Sequence, residues 1–281
     1  MSHVFEWRDA PQARFAVIGD PIAHSLSPQM QNAALRAMGE EGEYVAVQAS
    51  PADLCKALNH LYKLGYEGLN VTVPHKEAVL DWLADTDDFA TWVGAANTID
   101  LVRKRGTNTD GPGFLASLVQ FKFKPQSSAL VFGSGGSSRA ICAALAQEGW
   151  SVKIWNRTPE RARAMVEELE GRAPSRSLDV EIVEGELQGL DVAANDLLVN
   201  TTSAHLQGPG APAMPWSQLA WKGQAVSCDL AYGESAFITA AAKAGLRTMD
   251  GKSMLMEQGA LALEWWLRKP APRQVMAEAI R

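Results

Sequence analysis

The residues best equipped for chemistry stand in four short polar clusters, GDPIAHSLSP, NVTVPHK, NTDG and GSGGSS. In NVTVPHK, Asn70 and Thr72 fall on one face of an extended segment and the valines on the other, so two polar side chains point one way. Pro74 then ends the strand, and Lys76 follows at a helix start. A cation there opposes the helix dipole, so a purely structural reason for it is weak and a proton-donating role is the more useful reading. In GDPIAHSLSP, Ser25 and Ser27 follow a strand and precede a helix, where Ser27 would serve as an N-cap without any ligand. In NTDG, Asp110 sits in turn-prone sequence, where an aspartate can be no more than a cap. All three of these clusters fall at predicted strand ends, the edge at which open α/β sheets bind ligands.

The fourth cluster lies in LVFGSGGSSRAI, a glycine turn between an apolar strand and an alanine-rich helix. Glycine lets the backbone approach a pyrophosphate, and the helix N-terminus offers it unpaired N–H groups and a partial positive charge. Gly133, Gly135 and Gly136 are present, with Ser138 where the usual pattern has its third glycine. At the end of the next strand a NAD site places an acidic side chain. Here the chain reads IWNRTPERAR instead, and Asn156, Arg157, Thr158 and Arg161 would present donors and two guanidinium groups to a 2′-phosphate. The cofactor predicted from these residues is NADP, although Arg161 alone would also suit a solvated helix start.

Short β-rich runs alternate with helix-length amphipathic runs, which predicts the α/β class with a mostly parallel sheet covered by helices. RFAVIG, YVAVQA and GLNVTV read as strands, separated by helices that open at a serine cap and close on glycine. A new βαβ unit begins after KPQSS, DLLVNTTS and AVSCDLAY extend its sheet, and the segment after Ser253 reads as a long apolar helix in which Trp265 and Trp266 are core. With 281 residues, one or two domains are expected. A net charge of -6 argues against nucleic acid as the main partner. Cys55, Cys142 and Cys228 read as buried free thiols in a reducing compartment, and His24 and His75 lack a third ligand at metal spacing. No signal peptide or membrane span is legible, so a cytoplasmic location with no bound metal and no membrane partner is expected.

These clusters, in this order, resemble the shikimate dehydrogenase family over roughly Arg14 to Trp266. HSLSP resembles its paired-serine motif, NVTVPHK its catalytic-lysine motif, GAANT its GAVNT motif and NTDG its aspartate motif. GSGGSS, NRT, NTTS, DLAY and GKSMLMEQGA follow in the family's sequence. The resemblance implies that Lys76 and Asp110 are the catalytic pair. It also implies that Ser25, Ser27 and Tyr232 hold a substrate carboxylate, and that Asn70, Thr72, Asn97, Asp110 and Gln258 hold ring hydroxyls. The loop residues Gly133, Ser134, Gly135, Gly136 and Ser137 would cradle the cofactor, with Thr202 and Gly251 at the nicotinamide.

The resemblance further implies a discontinuous substrate-binding and catalytic domain of residues 1–110 plus 254–281 and a Rossmann-like NADP-binding domain of 111–253, the active site lying in the cleft between them. The reaction implied is the NADPH-dependent reduction of 3-dehydroshikimate to shikimate, towards aromatic amino acids, by a monomer or homodimer. A quinate or aminoshikimate-type dehydrogenase shares this scaffold, and a non-catalytic ligand sensor would be expected to lose Lys76 or Asp110 first. Four departures from the family pattern stand out: Ala96 for the usual valine, Lys252 and Ser253 where small or apolar residues are usual, Ser138 in the glycine loop, and Ala204 and His205 after NTTS.

Overall fold

The protein is described from a computed structural model, and the residues described are 4–172, 179–202 and 214–281. The chain divides into two compact units, Met1–Gly113 with Leu255–Arg281, and Phe114–Met254.

The first unit contains β1 (Val4–Glu6), β2 (Phe15–Gly19), α1 (Ser27–Met38), β3 (Tyr44–Gln48), α2 (Leu54–Lys63) and β4 (Gly68–Val71). It continues through β5 (Asp85–Thr86), α3 (Asp88–Val93), β6 (Thr98–Asp100) and β7 (Arg105–Thr107) to the start of α4 (Asp110–Leu118). Most of α8 (Lys252–Leu267) and all of α9 (Arg273–Ala279) also belong to it. The sheet order is β1-β3-β2-β4-β6-β7-β5. The strands from β1 to β4 pair parallel, and β6 runs antiparallel to both β4 and β7. Both faces of β2 are buried, so its sequence is a continuous apolar run and not an alternating one. One face packs on Leu54, Ala57, Leu58 and Leu61, the apolar stripe of α2. On the other, Trp266 of α8 stacks on Phe15 at 4.8 Å and donates from Nε1 to the Ile99 carbonyl.

The second unit contains β8 (Ser128–Phe132), α5 (Gly136–Gln147), β9 (Ser151–Trp155), α6 (Pro159–Arg172), β10 (Val180–Ile182), β11 (Leu197–Asn200), β12 (Val226–Asp229), α7 (Ala236–Lys243) and β13 (Arg247–Met249). Its strands are all parallel, in the order β10-β9-β8-β11-β12-β13. Strand order therefore reverses between β8 and β11, and a doubly wound sheet binds ligands at that switch point. An edge-to-face aromatic core of Phe132, Trp155, Trp216 and Phe237 fills one side of it.

The α/β class holds, and several local expectations are corrected. Ser27 is not an N-cap: Leu26 occupies that position without a side-chain cap, Ser27 is the first helical residue, and Ser25 Oγ accepts from its N–H at 3.3 Å. Before α2 a 3-10 turn intervenes, and the Ser50 hydroxyl goes to the Asp53 carboxylate instead of to helix N–H groups. β4 ends at Val71, short of the expected GLNVTV run, although the Thr72 N–H still donates to the Ile18 carbonyl and the Asp20 N–H to the Val73 carbonyl before Pro74 is reached. Lys76 precedes a 3-10 segment, Ala78–Trp82, and not an α-helix, so its meaning rests on burial and partner and not on a helix dipole. Cys55 is exposed because it lies off the apolar stripe of α2. Cys142 and Cys228 are buried, and loss of water pushes the Cys142 thiol up to about 12. Trp265 and Trp266 are half-buried, covering the edge of the core.

Candidate active site

Lys76 and Asp110 meet although 34 residues separate them in sequence. Lys76 is carried by the turn after β4, and Asp110 is the first residue of α4, reached through the antiparallel strands β6 and β7. The ammonium donates to Asp110 Oδ2, with only 10% of the lysine and 4% of the aspartate side chain exposed. A charge this far from water is costly unless paired, and here each charge compensates the other. The Asn108 side-chain oxygen accepts from the Asp110 N–H at 3.0 Å, and Asn108 Nδ2 donates to the Ala95 carbonyl, which fixes the turn.

Amides surround the pair. Asn97 Nδ2 donates to Asp110 Oδ1 at 2.7 Å and approaches Gln258 Oε1 of α8 at 3.2 Å. The Thr109 N–H donates to Asn97 Oδ1 at 2.8 Å, so the direction of that amide is set. Asn70 Nδ2 donates to the Asn97 carbonyl and to Thr98 Oγ1. Hydrogen bonds thus join the buried Lys76, Asp110, Asn97 and Asn70 and the half-buried Gln258 into one network within the first unit. Ser25, Ser27 and Thr72 are not hydrogen-bonded to it by any described side-chain contact; the Thr72 N–H donates to the Ile18 carbonyl, beside the β2 end. Next to Lys76, His75 Nε2 donates to the Ala49 carbonyl at 2.8 Å, and burial holds the imidazole below its ordinary range and so neutral.

Sequence reasoning missed Tyr44, Thr98 and Thr109, which complete this network. Tyr44 carried a signal: a tyrosine in a strand buried on both faces must find a partner for its hydroxyl.

In the second unit the glycine turn sits between β8 and α5. Gly133 has φ +114, a conformation L side chains rarely adopt, and an added Cβ would stand 2.5 Å from Thr201 Oγ1. A Cβ on Gly135, at the N-cap of α5, would enter open space, so the surface over the helix N-terminus is clear for an anion. Ser138 is fully buried and donates to the Gly133 carbonyl at 2.7 Å, so it secures the turn from within. Ser134 and Ser137 are half-buried on the turn. After β9, Asn156 Nδ2 donates to the Thr158 carbonyl at 2.8 Å and closes the NRT turn. Arg157 and Arg161 are exposed and make none of the described ion pairs, whereas Arg139, Arg163 and Arg172 in the same unit are each tied to glutamates. Two unengaged guanidinium groups and a clear helix start fit a phosphorylated dinucleotide.

At the far ends of β11 and β12, the Thr202 N–H and hydroxyl both donate to Asn200 Oδ1, and Asn200 Nδ2 donates to Asp229 Oδ2 at 3.0 Å. Tyr232 is half-buried after β12. Ser203, Ala204 and His205 lie outside the described residues. Lys252 and Ser253 are half-buried in the first turn of α8.

Gly251 is held by close approach: a Cβ there would stand 2.1 Å from the Leu230 carbonyl oxygen. Gly251→Ala is therefore expected to destabilise the protein by about 1–3 kcal/mol, the usual cost of forcing backbone apart. A urea midpoint equal to wild type would show that the backbone yields freely.

A reversing all-parallel sheet with a glycine turn at its switch point, and elsewhere a buried lysine–carboxylate pair among amides, define the class of two-unit Rossmann-type oxidoreductases. The model of the shikimate dehydrogenase substrate binding domain matches residues 17–99. A shikimate dehydrogenase (NADP(+)) of Moorella thermoacetica is 40% identical, the match covering 95% of this chain and 92% of that protein. The crystal structure of shikimate dehydrogenase from Aquifex aeolicus superposes with a TM-score of 0.83 at 33% identity, covering 95% of this chain and 97% of that one. Shikimate 5-dehydrogenase from Thermus thermophilus, in complex with NADP(H) and shikimate, gives a TM-score of 0.80 at 37% identity, over 95% and 98%. This chain belongs to the shikimate dehydrogenase family. Among the described residues no helix is long and apolar enough to cross a membrane, and no cluster of His, Cys, Asp or Glu could hold a metal ion.

Proposed function

We propose that this chain catalyses the reversible, NADPH-dependent reduction of 3-dehydroshikimate to shikimate, with the first unit supplying most of the substrate contacts and the second the cofactor contacts. The observation that carries the reading is the buried Lys76–Asp110 pair, set among Asn70, Asn97 and Gln258. Bound NADPH supplies a hydride to the ketone carbon. The ketone oxygen then needs a proton, and the Lys76 ammonium both polarises the carbonyl and donates it. Asp110 orients that ammonium and balances its charge, and Asn97 holds the carboxylate in place. We assign the ring hydroxyls to Asn70, Thr72, Asn97, Asp110 and Gln258, and the substrate carboxylate to Ser25, Ser27 and Tyr232. On the cofactor side, Gly133 to Ser137 take the pyrophosphate, Asn156, Arg157, Thr158 and Arg161 the 2′-phosphate, and Thr202 and Gly251 the nicotinamide end. Free thiols suit a reducing compartment, and the cytoplasm is the location we assign, to a monomer or homodimer.

The test is a set of four assays of reduced nicotinamide formation, pairing shikimate or quinate with NADP or NAD. Fast turnover with shikimate and NADP supports the reading; preference for quinate would move the chain to the related activity, and inertness towards both alcohols would end the enzymatic reading. For Arg157→Ala, the expected result is a loss of NADP over NAD preference of about 10-fold to 100-fold, the worth of a charge-assisted contact. Unchanged discrimination would return Arg157 to ordinary surface.

A further inference from the structure

We propose that Tyr44 is a positioning residue for substrate recognition: its hydroxyl clamps Asn70 so that this amide meets the substrate only as a hydrogen-bond acceptor. The inference rests on the substrate reading above and names a residue that reading does not include.

Tyr44 opens β3 and is 1% exposed. Its backbone is gripped on both sides by Asn32 of α1, whose Nδ2 donates to the Tyr44 carbonyl at 2.7 Å and whose Oδ1 accepts from the Tyr44 N–H at 2.9 Å. In register, Tyr44 lies beside Phe15 of β2, and Asn70 of β4 lies beside Val17, two residues along β2. Tyr44 and Asn70 therefore share one face of the sheet, the face on which Trp266 stacks over Phe15. The ring spans the intervening strand, and its hydroxyl donates to Asn70 Oδ1 at 2.7 Å.

The rest of the Asn70 amide is engaged by the protein. A carbonyl oxygen can only accept, so the Asn70 nitrogen must face the Asn97 carbonyl, which lies at 3.2 Å, and its second hydrogen goes to Thr98 Oγ1 at 3.1 Å. Both donors are spent. What remains is one lone pair on Oδ1, whose direction is set by the tyrosine that holds the other. An acceptor of this kind suits a substrate hydroxyl and offers nothing to an ether or a ketone oxygen at the same ring position. Without the Tyr44 hydroxyl, Oδ1 loses its donor, the amide is held only through its nitrogen, and the direction in which the oxygen meets the substrate is less firmly fixed.

The test uses the full-length enzyme and steady-state kinetics with shikimate and NADP, comparing wild type, Tyr44→Phe, Asn70→Ala and the double variant. Tyr44→Phe is expected to raise KM for shikimate by about 5-fold to 50-fold, the range for a buried acceptor left without its donor, with a smaller change in kcat. KM for NADP should stay within about 2-fold, because the lost bond is one of substrate recognition. If Tyr44 acts through Asn70, adding Tyr44→Phe to Asn70→Ala should raise KM no further. A merely structural tyrosine would show an equal loss in both backgrounds, and that result, or an unchanged or lowered KM in the single variant, overturns the proposal. A wild-type protein inert towards shikimate overturns the functional reading and this inference with it, whereas an active wild type with an unaffected Tyr44→Phe variant overturns the inference alone.

Discussion

Replacing Lys76 with alanine should slow turnover by about 100-fold to 10,000-fold, the usual range for a lost general acid, with little change in KM for shikimate. Hydride transfer to a ketone builds negative charge on oxygen, and that charge needs a proton as it forms. The alternative donor is water, which a buried site admits poorly and orients badly. The ammonium is already pre-positioned, with 10% of its side chain exposed and its carboxylate partner in contact. Because the loss falls in the transition state, kcat and kcat/KM should drop together. Steady-state kinetics of the purified variant check this, and turnover within a few-fold of wild type would remove Lys76 from the chemistry.

The second large effect belongs to Asp110. Asp110→Ala is expected to lower turnover by a factor comparable to the loss of the lysine and also to destabilise the fold by about 3–5 kcal/mol, because it strands a buried ammonium without its counter-charge. Lys76→Ala alone should cost less stability, since the carboxylate left behind still accepts from Asn97 at 2.7 Å. The double variant should therefore be more stable than Asp110→Ala while remaining as inactive. That ordering is the signature of coupled buried charges. Urea unfolding of the four proteins reads it directly, and a double variant less stable than both singles would show that the two side chains contribute independently.

How much of this was legible in the chain depended on range. The α/β alternation was legible because strand and helix periods are local, and β2, β3 and β8 appear where apolar runs predict them. The glycine turn was legible because Gly133 must take φ +114. The short strands β5, β6 and β7 were not, since two or three residues carry no periodicity, and their pairing comes from the sheet they join. Ser27 and Ser50 misled for a related reason: a serine before a helix reads as a cap, yet the hydroxyl goes to whichever partner the folded turn brings nearest, Asp53 in one case. Cys55 looked buried in its apolar run and is exposed because helical phase, not neighbours in sequence, decides which face is covered.

By itself, then, the sequence determined the class of fold, the glycine turn between β8 and α5 and the residue types available for acid–base work, all of which follow from local backbone and side-chain chemistry. Which of those residues touch was decided by the tertiary structure. Lys76 and Asp110 meet only because β6 folds back against β4 and β7 against β6, returning the chain to the β4 end. Tyr44 reaches Asn70 only because β2 inserts between β3 and β4 in register. Contacts of this kind arise from long-range strand pairing, and no local preference of the residues involved encodes them.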